Sequence, residues 1–263
     1  LPDDKPSAAE DRDLLAEAAR AAGAIALGFF KKDPQVWTKD NDSPVSEADF
    51  AVDRYLADAL RSARPGYGWL SEETEDAPER LASGRVFIVD PIDGTRSFVA
   101  GGDEWTISVA VVEAGRPLAA ALYRPTSDTL WDAIAGGGAR IDGVALPAVV
   151  AHDLDGLRVA GPRGTIKQFL GAEVKPAETA FIASLALRIA LVASGRYDLI
   201  LSKENAHDWD IAAADLILDE AGGILCDDTG ARLVYNRDRP NHPALIGGAR
   251  GTVGAALPLF ARR

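Results

Sequence analysis

The sequence predicts a mixed α/β fold, α+β in its first part and strand–helix alternation in its second. Three observations predict it. Two amphipathic helical patterns open the chain, short β-branched runs with tight turns follow, and from about Leu157 strands and helices take turns. At 263 residues, the chain is long enough for one large domain or two small ones at roughly 150 residues each. A boundary near Pro147 would give residues 1–147 as an N-terminal α+β half and 148–263 as a C-terminal α/β half.

The elements follow in order. Residues 10–32 carry Leu14, Leu15, Ala18, Ala22, Ile25 and Phe29 at three-to-four-residue spacing, the pattern of an amphipathic helix. A polar loop over 38–44 leads to a second helix. Ser46 opens it with a hydroxyl suited to capping, Asp49 follows three residues on, and Val52, Leu56 and Leu60 share a face. Pro65-Gly66 ends it. The apolar run Val86-Phe87-Ile88-Val89 reads as a buried strand ending in Asp90-Pro91-Ile92-Asp93-Gly94-Thr95. Residues 105–112 and 117–123, around Ala114-Gly115, read as a hairpin, and 129–135 as a third strand. Gly136-Gly137-Gly138 and Asp142-Gly143 are turns. Strands are then expected at 157–160, 199–202, 224–225 and 244–246. Helices are expected at 184–194, closed by Gly195, at 210–221, closed by Gly222-Gly223, and before Arg263.

Charge narrows the function classes. Forty acidic against 28 basic residues leave a net charge of −12, which argues against a nucleic-acid polymer as partner. A local basic pocket for one small anion stays compatible with it. No apolar run approaches the ~20 residues of a membrane-spanning helix, and the first ten residues are polar and acidic, so neither a membrane anchor nor a leader is expected. The lone Cys226 rules out an intramolecular disulfide and fits a reducing cytoplasm.

Five acidic positions fall at element ends, where α/β folds gather their sites: Asp49, the Glu72-Glu73 pair, Asp90, Asp93 and Asp210. Each alone has a plain structural reading. Asp49 and Asp210 would be capping carboxylates, Asp90 and Asp93 turn residues, and Glu72-Glu73 solvated surface. The segment from Asp90 to Thr95 suggests more. Pro91 stiffens the backbone between two carboxylates, and Gly94 permits close approach. A helix opening at Gly94-Thr95 would aim N–H groups at an anion. Carboxylates beside an anion cradle are reconciled by a hard divalent cation, which takes carboxylate and phosphate oxygens together. The chemistry that follows is metal-assisted phosphoryl transfer to water.

These segments, in this order, resemble the inositol monophosphatase superfamily from about Leu14 to Gly248. The matching stretches are Ser43-Pro44-Val45-Ser46-Glu47-Ala48-Asp49, Leu70-Ser71-Glu72-Glu73, Val89 through Thr95, Trp209-Asp210-Ile211-Ala212-Ala213-Ala214 and Glu220-Ala221-Gly222-Gly223. The resemblance implies a layered α-β-α-β-α sandwich and Mg²⁺-dependent hydrolysis of a small phosphorylated metabolite. It implies that Glu72, Asp90 and the Ile92 carbonyl hold a first Mg²⁺, that Asp90, Asp93 and Asp210 hold a second, and that a weaker third leans on Glu72. By the same resemblance Thr95, paired with Asp49, orients and deprotonates the attacking water, with Glu72 completing the catalytic group. The Gly94 and Thr95 N–H groups hold phosphate. Glu73 is either a support for these ligands or surface, and His207 either lines the pocket or serves structure. Lithium inhibition and a homodimer are also implied, though no segment identifies an interface.

Within the superfamily the chain looks closest to bacterial 3′(2′),5′-bisphosphate nucleotidases of the CysQ type. Inositol phosphatases carry threonine and asparagine after Asp-Gly-Thr, where this chain has Arg96-Ser97, and Gly102-Asp103-Glu104-Trp105-Thr106 is similar to the nucleotidases. Arg188 falls where nucleotidases are basic, and Lys203 where inositol phosphatases often have glutamate. Three basic positions, Arg96, Arg188 and Lys203, thus point to a substrate with a second phosphate. Inositol 1-phosphate is the alternative, with a sugar bisphosphate behind it. A non-catalytic metal- and anion-binding scaffold would be marked by a lost ligand, and Glu72, Asp90, Asp93, Thr95 and Asp210 are all present.

Overall fold

A computed structural model describes residues 5–38, 44–170 and 174–260, with the backbone alone at Leu170. Residues 39–43 of the expected polar loop, Ser43 of the matching motif and the chain end 261–263 lie outside the described residues.

Helix α1 (Ala8–Phe29) starts two residues earlier than its apolar spacing shows, because Ser7 and Glu10 cap each other. The Ser7 hydroxyl accepts from the Glu10 N–H at 3.2 Å, and the Glu10 carboxylate accepts from the Ser7 N–H at 2.7 Å. A short hairpin, β1 (Val36–Thr38) and β2 (Pro44–Ser46), runs into α2 (Glu47–Ala63). Next come β3 (Gly68–Ser71), β4 (Arg85–Asp93), the one-turn α3 (Thr95–Val99), β5 (Thr106–Glu113), β6 (Arg116–Arg124), β7 (Thr129–Ile134), β8 (Gly138–Ile141) and β9 (Val144–Ala145). The seven strands β3 to β9 form one sheet in chain order, parallel between β3 and β4 and antiparallel elsewhere.

The second part contributes β10 (Arg158–Ala160), α4 (Arg163–Leu170), β11 (Glu178–Ala180), α5 (Leu185–Ala193), β12 (Leu199–Leu201), β13 (Ala206–His207), α6 (Asp208–Glu220), β14 (Gly223–Asp227), β15 (Asn241–His242), β16 (Leu245–Ala249) and α7 (Arg250–Phe260). Five of these strands form a mixed sheet in the order β11-β10-β12-β16-β14. The two-residue strands β13 and β15 pair with each other.

Burial orders the layers. The run Val86 to Val89 is apolar throughout because β4 is covered on both faces. Phe87 and Val89 pack with Leu15, Ala19, Val52 and Leu56 of α1 and α2, while Val86 and Ile88 pack toward Ile189, Ala213 and Ile217 of α5 and α6. On the far side of the five-stranded sheet, Ile166, Phe169, Val253 and Phe260 of α4 and α7 cover Leu199 and Ile246. The result is an α-β-α-β-α sandwich with α5 and α6 as the middle layer. Cutting a fully buried side chain such as Leu56 to alanine would cost about 2–5 kcal/mol. Among the described residues, no helix is long and apolar enough to cross a membrane.

Strands β1, β2, β3, β8, β9, β11, β13 and β15 and helix α4 add to the elements legible in the sequence, and α6 begins at Asp208, two residues before its expected start. The ends of β3 and β4 and the N-termini of α2, α5 and α6 converge on one edge of the middle layers, where the acidic residues collect.

Candidate metal and phosphate site

In a regular strand, residues three apart face opposite sides of the sheet. The β4–β5 register breaks that rule where it matters. Asp90 pairs with Ser108 and Asp93 with Thr106, so β4 spends one extra residue between them. That bulge, at a proline that donates no ladder hydrogen bond, turns both carboxylates to the same side. Asp210, in the first turn of α6, completes the group, and one carboxylate oxygen from each lies within 4.8 Å of the others.

Neighbouring donors fix each side chain. An Asp90 oxygen accepts from the Ile92 N–H at 3.0 Å. Asp93 sits at the open N-terminus of α5, accepting from the Ser184 hydroxyl at 2.5 Å and the Ala186 N–H at 2.7 Å. Asp210 accepts from the His207 N–H at 2.7 Å, and the Ser108 hydroxyl ties the Trp209 carbonyl to β5 at 3.2 Å. The expected capping box at Ser46 and Asp49 forms. The Ser46 N–H and hydroxyl both donate to Asp49, at 2.8 and 2.6 Å, which holds the other Asp49 oxygen toward Thr95.

Burial dominates the electrostatics. Asp90 is pushed well above the usual carboxylate range, first by desolvation and then by the charges of Glu72, Asp93, Asp210 and Asp49. Desolvation raises Asp93 to about 6, against the pull of the Ser184 hydroxyl, the Ala186 N–H and Arg188. Asp49 is raised by burial too, with its two bonds to Ser46 resisting. Two unit charges ~4 Å apart repel by about 4 kcal/mol at an effective dielectric of 20. Three hard oxygen donors crowded in this way fit a hard divalent cation, which would remove the repulsion.

The cluster floors a cleft of about 220 Å³ whose walls include Pro44, Glu72, Thr95, Arg96, Phe181 and Ala183. Glu72 enters from the end of β3, its N–H bonded to the Val89 carbonyl at 3.2 Å. Ile92 and Gly94 line it as well, and the Ile92 carbonyl accepts from the Thr95 hydroxyl at 2.9 Å. Gly94 has φ +96°, and a Cβ there would lie 2.6 Å from the Glu104 carbonyl oxygen, so only glycine fits the turn.

Two of the three basic candidates lie elsewhere. Arg188 is 5% exposed and points into the middle layer, where it donates to the carbonyls of Leu201 and Ile182 at 3.0 and 2.8 Å. Its apolar helix is packed on both sides, so its side chain does not line the cleft, and its charge acts there only through Asp93. Lys203 is exposed, in the loop after β12, and is not among the described residues of the cleft wall. Arg96 does line it. Glu73 is half-buried beside Ser71, and His207 stacks on Trp209 with ring centroids 4.5 Å apart. Ser184, which anchors Asp93, is absent from the sequence-derived candidates. Its place before an apolar helix marks it as a cap of α5, while nothing local points its hydroxyl at Asp93.

A carboxylate cluster, buried at Asp90 and Asp93 and half-buried at Asp210, facing a glycine turn at the edge of a five-layer sandwich, can hold a divalent cation beside an anion. Residues 8–252 match the inositol monophosphatase family, and the chain belongs to that family, whose members are Mg²⁺-dependent phosphatases. It is 31% identical to the Nus factor SuhB of Pasteurella multocida over 233 residues, 83% of this chain and 85% of the relative. It is also 31% identical to inositol monophosphatase 2 of Solanum lycopersicum over 235 residues, 83% of this chain and 88% of the relative. The crystal structure of the extragenic suppressor protein SuhB from Bartonella henselae superposes with a TM-score of 0.84 at 27% identity, covering 94% of this chain and 97% of that one.

Proposed function

We propose that the protein hydrolyses the 3′-phosphate of a doubly phosphorylated nucleotide of the 3′-phosphoadenosine 5′-phosphate type. The observation that carries the hydrolytic chemistry is the Asp90–Asp93–Asp210 cluster, buried but for the half-exposed Asp210, across from the Gly94-Thr95 turn. Glu72, Asp90 and the Ile92 carbonyl would hold one Mg²⁺, and Asp90, Asp93 and Asp210 a second, with Asp90 shared and Glu72 available to a third. Bound there, the ions neutralise phosphoryl oxygens and acidify water. The first part of the chain would then bring Glu72, Asp90 and Asp93, and residues 148–263 would bring Asp210.

The chain's own groups do the rest. Gly94 and Thr95 N–H groups hold the ester phosphate at the start of α3. The Thr95 hydroxyl accepts the proton of the attacking water and passes its own to Asp49, whose pKa burial raises above that of an exposed carboxylate, making it a stronger base. The new O–P bond forms as the ester O–P bond breaks, and the departing oxygen takes up a proton from solvent water. Arg96, on the cleft wall, supports an anionic substrate. A cytoplasmic setting fits the single, buried thiol of Cys226.

A second reading, inositol 1-phosphate, is favoured by the names of relatives such as the tomato inositol monophosphatase 2. Comparing kcat/KM for 3′-phosphoadenosine 5′-phosphate, inositol 1-phosphate and fructose 1,6-bisphosphate, with Mg²⁺ and with EDTA, tests both. The nucleotide should lead and require Mg²⁺. A lead for inositol 1-phosphate transfers the assignment to the second reading, and equal rates in EDTA remove the metal chemistry.

A further inference from the structure

A second cavity, of about 580 Å³, opens beside the cleft between α4 and the segment that leads into β11. Phe181, 55% exposed, lines both spaces and makes them neighbours. The described lining of this cavity carries three cations, Arg163, Lys167 and Lys175, and no acid. Arg163 and Lys167 stand one helical turn apart on the same face of α4. Among the described residues, none of the three heads is paired with a carboxylate. Glu178, the acid of the adjoining strand, is already engaged by Arg196 at 2.6 and 2.7 Å.

In a chain of net charge −12, three cations converging on one cavity that shares Phe181 with the candidate cleft, with no acid in its described lining, fit an anion that arrives with the substrate. We propose that this cavity is a second anion subsite. It receives the non-reacting phosphate of a doubly phosphorylated substrate while the ester phosphate lies at the Gly94-Thr95 turn, and the organic link crosses the apolar face of Phe181. This rests on the phosphatase reading above and gives the preference for a bisphosphate a structural seat that Arg188 and Lys203 do not supply.

The test replaces Arg163, Lys167 and Lys175 together by glutamine, all at exposed positions where the fold is undisturbed. Adenosine 3′,5′-bisphosphate and adenosine 3′-monophosphate differ only in the second phosphate. The ratio of their kcat/KM values in the parent protein should favour the bisphosphate and fall at least about tenfold in the triple variant, the scale of one charge-assisted contact. An unchanged ratio overturns the subsite. Should neither nucleotide be hydrolysed with Mg²⁺ present, the phosphatase reading fails and calorimetric binding of the bisphosphate decides for the cavity. Affinity weakened about tenfold or more in the variant upholds it, and equal affinity overturns it.

Discussion

The Thr95 hydroxyl lies 3.1 Å from an Asp49 carboxylate oxygen, across 46 residues of chain, and 2.9 Å from the Ile92 carbonyl. A hydroxyl has one proton, so it donates to one of these acceptors at a time, leaving its lone pairs to face the cleft. Thr95→Val keeps the shape and removes both functions. It should lower kcat by about 10²–10⁴-fold with little change in KM, while Thr95→Ser keeps most activity. Steady-state kinetics on both variants check this, and equal losses would assign Thr95 to packing.

Asp90→Asn separates metal binding from folding. Asp90 is crowded by Glu72, Asp93, Asp210 and Asp49, so a neutral side chain of the same shape relieves repulsion in the metal-free protein. The variant should melt higher than the parent in EDTA. It should also lose Mg²⁺-dependent turnover by more than the roughly 10–100-fold seen when a partner one step beyond a metal is removed. A variant that melts lower in EDTA would show that the crowding is not what limits stability.

Acid should stabilise the metal-free protein. Asp90 and Asp93 have higher pKa values folded than unfolded, so between the two values the folded state binds more protons and stability rises as pH falls. For Asp93, raised from 3.8 to about 6, the contribution is on the order of 3 kcal/mol, gained as the pH drops from above 6 toward 4. Saturating Mg²⁺ binds the charged forms and should invert the trend, because protons then compete with the ion. Melting curves at pH 7.5, 6 and 5 in EDTA and in Mg²⁺ measure both slopes. Parallel slopes in the two buffers would contradict the assignment of these carboxylates to the metal.

Periodicity made α1, α2 and the β5–β6 hairpin legible, since each buries a regular stripe. It failed at β3, where only Trp69 and Leu70 mark four residues, and at β11, whose residues stay half-exposed at a sheet edge. The gathering of Asp90, Asp93 and Asp210 was legible from Pro91, Gly94 and the Trp209-Asp210 pair at element ends, whereas the bulge that turns Asp90 and Asp93 to one side was not. Nor were their partners. Ser184 reaches Asp93 from 91 residues away, and no local pattern encodes that bond. The direction of Arg188 was equally hidden, because a lone cation in an apolar helix reads the same whether it faces ligand or core.

Gly94→Ala should show how tightly the turn is built. The substitution forces an L-residue to φ +96° and sets a Cβ 2.6 Å from the Glu104 carbonyl oxygen and 3.2 Å from the Ser184 Cβ. Backbone strain and overpacking together should cost about 2–4 kcal/mol. The shift also displaces the N–H groups proposed to hold phosphate, so KM should rise along with the fall in Tm. Wild-type KM in a stable Gly94→Ala protein would place the phosphate elsewhere.

Arg188 offers the sharpest separation of structure from specificity. Burial presses its pKa down to about 10, opposed by Asp93 and Glu104, so it stays charged at neutral pH. Its Nη atoms hold the Leu201 and Ile182 carbonyls, and its Nε is buried without a partner. Arg188→Ala strips a cation from beside Asp93 and leaves two carbonyls bare, a loss of about 3–5 kcal/mol by analogy with broken buried pairs. Because none of this faces the cleft, kcat/KM should fall to the same extent for a monophosphate and a bisphosphate, and Arg188→Lys should recover part of the Tm. A fall confined to the bisphosphate would mean that the guanidinium turns outward when substrate binds, and the second phosphate would then belong to Arg188 and not to the α4 cavity.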